Sequence, residues 1–135
     1  MKLKHMALAA LIITAVSCAS SGPVEIPEGM TTAELIQRGQ EASDRNRYAV
    51  SLQFYQAVLE RFPDDIASVI AAEYEIAFIH YKQKNYELAK TEFNRLLARY
   101  NTPDQELLPP QFKILSNIVL GKIAEIEAAR ERRNR

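Results

Sequence analysis

The apolar positions of the chain predict two similar pairs of helices. Residues 46–65 and 84–103 align with a constant offset of 38 positions, so that Tyr48 corresponds to Tyr86. Within each segment the apolar side chains recur at intervals of three and four residues, at positions 48, 52, 55, 59 and 62 and at positions 86, 89, 93, 97 and 100. Such intervals place the apolar side chains along one face of an α-helix. Each segment is therefore predicted to contain one amphipathic helix.

The segments that precede these two helices align at the same offset, since Gly39 corresponds to Ala77. Each copy is therefore predicted to be a helix, a tight polar turn and a second helix. Thr31 and Glu34 have the spacing of a capping box, in which the hydroxyl and the carboxylate each accept a hydrogen bond from a free backbone N–H. This pattern predicts that the first helix runs from about Thr32 to Asp44.

A third apolar pattern follows the two copies and predicts a C-terminal helix over about residues 110–130. One apolar stripe suits a helix that caps the second copy, and it consists of Phe112, Leu115, Val119, Ile123 and Ile126. Three apolar residues lie outside that stripe, namely Ile114, Ile118 and Leu120. They either pack beneath Leu107 and Leu108, which we favour, or form an exposed apolar strip for a partner.

Small and aromatic residues stand at equivalent places in the two copies. A small residue lies where the helices of each copy are expected to cross, an aromatic follows each turn, and another aromatic lies further along. In the first copy the small residue is Gly39, the aromatics are Tyr48 and Tyr55, and Pro63 closes the copy. In the second copy the small residues are Ala77 and Ala89, and the aromatics are Tyr86 and Phe93. This pattern resembles the tetratricopeptide-repeat (TPR) family. The resemblance implies an all-α domain over residues 31–130, a TPR-like α-solenoid of antiparallel helix-turn-helix repeats at about 32–64 and 66–102 plus the capping helix.

The N-terminal residues have the pattern of a secretory signal. Lys2, Lys4 and His5 form a short basic start, and an apolar run extends from Met6 to Val16. This run is shorter than the roughly 20 residues that a membrane-spanning helix needs. Residues 1–17 are therefore interpreted as a cleaved signal peptide.

Cys18, the one cysteine of the 135-residue sequence, directly follows this segment. Residues 15–18, Ala-Val-Ser-Cys, resemble the lipobox of bacterial lipoproteins, which implies a diacylglycerol on the Cys18 thiol and a further acyl chain, such as palmitate, on the new N-terminus. The prolines, glycines and serines of residues 19–29 predict no regular element. Residues 18–30 are therefore interpreted as a lipidated N-terminus and flexible spacer. An incidental cysteine in an ordinary secreted protein and an uncleaved signal anchor are the alternatives.

Composition narrows the class of the mature protein. The 17 basic and 17 acidic residues of the full sequence cancel, and removal of Lys2 and Lys4 leaves a net charge near −2. A nucleic-acid-binding domain would be strongly basic, so no nucleic-acid partner is expected. The basic tail, residues 131–135, is interpreted as a solvated helix end, with contact to anionic lipid headgroups as the alternative.

The sequence offers no catalytic residue, metal site or cofactor site. His80 is the one histidine after the signal, and a single imidazole without a second cysteine does not make a zinc or iron site. His80 is expected to be a packed side chain rather than a base. Asp64 and Asp65 suit the start of a helix, where carboxylates bind free N–H groups, better than acid–base catalysis.

A candidate partner-binding face comes from the family resemblance. In TPR proteins ligands lie along the concave face formed by the first helix of each repeat. The matching positions of the second copy hold Tyr74, Phe78 and Tyr81, spaced by four and three residues, with Lys82 at the rim. Aromatic anchors with polar neighbours suit a peptide or another helix. Packing of the C-terminal helix on this face is the interpretation we favour, and a partly open groove is the alternative.

These expectations combine into one functional hypothesis. The protein is expected to be a lipid-anchored adaptor on the periplasmic side of a bacterial membrane that binds another envelope protein or peptide. Ala19 after Cys18 favours the outer membrane, by the sorting pattern of enteric lipoproteins. A subunit of an outer-membrane-protein assembly machinery and a homo-oligomeric scaffold are the alternatives, and an enzyme is a distant one.

Overall fold

The computed structural model describes residues 22–135, so the signal peptide interpretation and Cys18 lie outside the described residues. The described chain is all-α, and it contains no β-strand. Its five α-helices are α1 (Thr32–Asp44), α2 (Tyr48–Arg61), α3 (Ile66–Lys82), α4 (Tyr86–Arg99) and α5 (Pro110–Arg133), with a 3₁₀ helix at Pro103–Leu107. The predicted bounds of the first helix are confirmed, and α5 ends three residues beyond the predicted 130.

Neighbouring helices pack in pairs. α1 packs on α2 and α3 on α4, while α3 also contacts α2, and α5 contacts α3 and α4. Two clusters of buried side chains result. The first joins α1, α2 and α3 through Leu35, Ala42, Val50, Phe54, Tyr55, Ala57, Val58, Ala72 and Ile79. The second joins α3, α4 and α5 through Ile70, Tyr74, Ala77, Ala89, Phe93, Leu96, Tyr100, Leu108, Val119 and Ile123. The central helix α3 therefore contributes to both clusters.

The turns between the paired helices have the same geometry in both copies. Asn46 and Lys84, which are 38 positions apart, both adopt the left-handed region, with φ values of 56° and 62°. The residue after each turn position donates its N–H to a carbonyl five residues earlier, at 2.8 Å from Arg47 and 2.9 Å from Asn85. A left-handed residue costs little for asparagine and more for lysine, so packing of α3 on α4 must hold Lys84 in place.

The helix starts follow the predicted capping pattern. Glu34 N–H donates to the Thr31 hydroxyl at 3.3 Å, and Thr31 N–H donates to the Glu34 carboxylate at 2.8 Å. The capping box is therefore confirmed. The Glu34 carboxylate accepts hydrogen bonds from the Thr31 backbone N–H and from the Thr31 hydroxyl, and these two bonds lower the pKa of Glu34. Asp65 accepts from Ser68 N–H at 3.2 Å, which confirms its expected place at the start of α3.

The crossing of each helix pair uses small residues. In the first pair the Tyr55 ring lies directly on Gly39, where a Cβ would be only 2.7 Å from the ring carbon Cζ. The Ser51 hydroxyl donates to the Gly39 carbonyl at 2.6 Å. In the second pair the equivalent positions are Ala77, Ala89 and Phe93, all of them fully buried. The two copies therefore cross at the same place with different side chains.

The residues before α1 correct one prediction. The segment 22–30 has no regular secondary structure, as predicted, but it lies against α2 instead of forming a free spacer. Val24 N–H donates to Gln53 at 2.8 Å, and the Arg61 guanidinium donates to two carbonyls of the segment at 2.8 and 3.0 Å. Its apolar side chains pack on the first cluster, namely Val24, Ile26 and Met30. The prediction of a flexible spacer is therefore wrong for residues 24–30, because composition does not show that the apolar residues of this segment pack on a helix further along the chain.

α5 corrects a second prediction. Its buried face contains Ser116, Val119 and Ile123, with Leu120 and Phe112 packed beside them. Ile114 and Ile118 are 61% and 49% exposed, and Leu115 is 39% exposed. The favoured packing of the two isoleucines beneath Leu107 and Leu108 is therefore wrong, as is the place of Leu115 in the buried stripe. α5 packs mainly on α3 and α4, and the side of α5 that carries Ile114 and Ile118 stays exposed among the described residues.

Candidate functional site

The predicted partner-binding residues lie on one face of α3 and their rings stack. The centroids of Tyr74 and Phe78 are 5.8 Å apart with 14° between the ring planes, and those of Phe78 and Tyr81 are 5.7 Å apart with 20°. Spacings of four and three residues bring side chains above one another on a helix, which explains the stack. Two tilted rings lie at the ends of this stack: Phe112 of α5 beside Tyr74, with 42° between the ring planes, and Tyr86 of α4 beside Tyr81, with 46°. We call these five rings the aromatic ladder.

α5 fills one end of this ladder. The Phe112 centroid lies 5.3 Å from that of Tyr74, and the Phe93 centroid lies 5.7 Å from it on the α4 side. Tyr74 is therefore a core residue, only 7% exposed, and burial followed by the nearby Glu75 charge raises its pKa to about 12. Packing of the C-terminal helix on this face, the favoured prediction, is confirmed at Tyr74.

The other end of the ladder remains partly open. Phe78 and Tyr81 are half-buried and pack against the second cluster with part of each ring. Aromatic rings that are held by neighbours and still reach solvent present a preformed apolar surface at little cost in side-chain entropy. We call this partly exposed part of the face the ladder edge (Phe78, Tyr81 and Lys82), and the open-groove alternative stays a prediction for it.

Lys82 joins the two copies beside this edge. Its ammonium donates a short hydrogen bond to the Ser43 hydroxyl at the end of α1. The same ammonium lies 5.3 Å from the Phe78 ring centroid and 5.4 Å from that of Tyr48 at the start of α2. Cations over aromatic faces are attracted by the ring quadrupole. Lys82 is therefore a fixed positive charge on the rim, as predicted, and also a link between α1, α2 and α3.

Two carboxylates complete the electrostatics of the ladder edge. Burial raises the pKa of Glu75, the Lys82 ammonium lowers it, and the Asp44 carboxylate raises it. Asp44 itself is exposed at the C-terminal end of α1. The ladder edge therefore combines apolar rings with one ammonium, and the Glu75 and Asp44 carboxylates lie nearby.

Charged side chains hold the C-terminal half of α5 against α4. Lys90 of α4 donates to Glu127 of α5 at 2.7 Å and forms an ion pair with Glu87 at 2.8 Å. The Arg130 guanidinium lies 5.1 Å from the Tyr86 ring centroid. These contacts fix the C-terminal half of α5 beside the start of α4, next to the ladder edge.

His80 lies away from solvent in the α3/α4 pair, which agrees with its prediction as a packed side chain. Its Nε2 is 3.6 Å from the Glu92 carboxylate, and both side chains are mostly buried. Burial raises the pKa of Glu92, while His80 and Arg95 oppose that shift. Within residues 22–135, no group of three or more histidine, cysteine, aspartate or glutamate side chains has the geometry to hold a metal ion.

Sequence reasoning missed several members of the site. The sequence pattern predicts a turn aromatic at Tyr86 and a capping-stripe residue at Phe112, and in the structure both rings also lie at the ends of the ladder. Ser43 and Tyr48 were not associated with Lys82, because their contacts join different copies of the repeat. The 38-residue offset could have identified Phe112 as a member of the site, because Phe112 lies 38 positions after Tyr74, as Tyr74 lies 38 positions after Ile36.

The chain is similar to an uncharacterized protein of Treponema pallidum (strain Nichols). The two are 36% identical over 108 residues, which cover 79% of this chain and 43% of that protein. The chain thus spans less than half the length of this relative. No protein-family profile and no solved structure matches the chain. Among the described residues, no helix is both long enough and apolar enough to cross a bilayer.

Proposed function

We propose that this protein is a lipid-anchored adaptor of the bacterial envelope, in which a TPR-like α-solenoid binds a peptide or helix of another envelope protein at the ladder edge. The observation that carries the proposal is the pair of stacked, half-buried rings of Phe78 and Tyr81 beside the fixed ammonium of Lys82. Hot spots of protein interfaces favour anchored aromatic side chains next to polar groups. A catalytic role has no comparable support.

The repeat interpretation is supported by two features that recur 38 residues apart. The left-handed turn residues Asn46 and Lys84 coincide in geometry, and the aromatic rings of Tyr55 and Phe93 lie at equivalent helix crossings. Paired helices that stack on their neighbours are the building plan of α-solenoids. The finer assignment to the TPR family is part of the proposal.

The partner-binding proposal predicts that changes at the ladder edge weaken capture of the partner. The full chain with a C-terminal affinity tag would be crosslinked in its native membranes, purified and quantified against its partner by mass spectrometry. We expect the double variant Phe78→Ala/Lys82→Glu to lower partner recovery at least tenfold, because it removes a stacked ring and reverses the rim charge.

A matched control separates binding from folding. Phe62 is another half-buried aromatic, but it packs on the first cluster, so Phe62→Ala should cost stability comparable to that of Phe78→Ala alone and leave partner recovery unchanged. Equal losses of partner recovery in the two variants would contradict the assignment of the ladder edge as the binding site. If the recovered protein is a component of an outer-membrane-protein assembly machinery, this chain would be a subunit of that machinery, which is the alternative role.

The lipid-anchor proposal predicts a covalent lipid at Cys18. Cells that express the chain and grow in radiolabelled palmitate should yield a labelled band, and the label should be lost in Cys18→Ser, because Cys18 is the one thiol. Membrane attachment would confine the adaptor to a surface and raise the effective concentration of its partner. An unlabelled wild-type band would refute lipidation while leaving the ladder edge unaffected.

A further inference from the structure

The outer face of α5 is apolar in its first half and stays exposed in the described chain. The face runs along Ile114, Ile118, Gly121, Glu125 and Arg132, at spacings that keep these residues in line on one side of a helix. Val119 and Ile123, which pack on α3 and α4, lie on the opposite side. Leu115 borders the face and is partly exposed. A cap of a solenoid usually presents a polar outer face, so this apolar strip needs an explanation.

Gly121 supplies a second observation on the same face. A glycine inside a helix costs about 1 kcal/mol relative to alanine, and Gly121 has no turn or positive φ to justify that cost. A Cβ at this position would meet no atom within 4 Å. At Gly39 the chain uses a helical glycine to admit the Tyr55 ring of a packed helix. Gly121 offers a similar notch, one turn from Ile118, on the exposed side of α5.

The charges at the two ends of α5 indicate what fits this face. Asp104 and Glu106 precede the helix, and its last turn holds Arg132 and Arg133. An antiparallel second α5 would bring the acidic start of each helix to the basic end of the other, and it would also oppose the helix dipoles favourably. A parallel copy would place like charges together. The surface is therefore complementary to itself in the antiparallel sense.

We infer that the outer face of α5 binds a second copy of this chain, with the two α5 helices antiparallel about a two-fold axis between positions 118 and 121. In that arrangement Ile118 of each copy lies over Gly121 of the other, as expected for an isologous contact. The 24 residues of α5 give a contact line of about 36 Å. The inference does not depend on the ladder edge, which lies on α3.

The strip is small, so the dimer is reversible. Three apolar side chains and one notch bury less than the roughly 1,200–2,000 Å² of a standard stable interface. The test is sedimentation equilibrium of the full chain in a density-matched nonionic detergent, over a hundredfold concentration range. The wild type should show a monomer–dimer equilibrium. Ile118→Lys should raise the dissociation constant at least tenfold, because each dimer would place two lysines in the apolar contact.

Two further variants make the result specific. Leu88→Lys changes a leucine of α4 that is exposed to a similar degree, 37%, and should leave the dissociation constant unchanged. Gly121→Ala should raise the thermal stability of the monomer and weaken dimerisation, a pair of opposite effects that a purely structural glycine would not give. Thermal unfolding of Ile118→Lys should match the wild type, because Ile118 lies outside the core.

Three outcomes would overturn the inference. The first is a wild type that stays monomeric throughout the concentration range. The second is a dimer whose dissociation constant Ile118→Lys leaves unchanged. The third is a monomeric chain that copurifies with a different protein and loses it in Ile118→Lys, since the face would then serve another occupant.

Discussion

Replacing Phe93 by alanine is expected to lower the free energy of unfolding by about 3–5 kcal/mol, the usual cost of removing a buried aromatic ring. Phe93 is fully buried where α4 crosses α3, and its ring centroid lies 5.7 Å from that of Tyr74. Its removal would leave a cavity in the second cluster and release one support of the aromatic ladder. Urea denaturation followed by circular dichroism measures the loss.

Leu88→Ala is the matched control for this change. Leu88 lies in the same helix, but it is substantially exposed, so its truncation should change stability by no more than about 0.5 kcal/mol. A Phe93→Ala protein as stable as the Leu88→Ala protein would contradict the burial of Phe93 and the helix crossing built on it.

A side chain at Gly39 is expected to be the second most damaging change. A Cβ there would lie 2.7–3.1 Å from three carbon atoms of the Tyr55 ring, and that ring is itself fully buried and cannot swing away. Gly39→Val should therefore lower the free energy of unfolding by about 1–3 kcal/mol, despite the better helix preference of valine over glycine. The same denaturation experiment applies.

Gly121→Ala provides the comparison for Gly39→Val, since a Cβ at Gly121 has open space around it. Measured at dilute protein, this variant should gain up to about 1 kcal/mol from helix preference alone. A stabilised Gly39→Val protein would show that α1 and α2 do not cross at Gly39.

Much of the fold could be predicted because its signals are local. The Thr31–Glu34 capping box set the start of α1, and apolar spacing set the positions of α2 and α4. The 38-residue offset linked the two copies before any contact was known. Each of these features depends on residues within a few turns of one another, which the sequence displays directly.

The remainder depends on contacts between distant segments. The packing of residues 22–30 on α2 requires Arg61, more than 30 positions away, so composition suggested a free spacer instead. The isoleucines of α5 are exposed because the other side of the helix meets α3 and α4. The sequence alone does not decide which side is buried, because α5 has apolar residues on both sides. The spacing of Tyr74, Phe78 and Tyr81 predicts that they share one side of α3, but the burial of Tyr74 by Phe112 depends on how α5 packs.

If Cys18 carries the proposed lipid, the attachment of the N-terminal segment to α2 would limit the distance between the domain and the bilayer. Val24 is the first described residue whose backbone forms a hydrogen bond with α2, and it follows Cys18 by six residues. Six residues of fully extended chain span only about 20 Å. With a diacylglycerol on Cys18, the first helix pair would therefore stay close to the lipid headgroups, and a partner would have to present its binding segment at the membrane surface rather than deep in the periplasmic space.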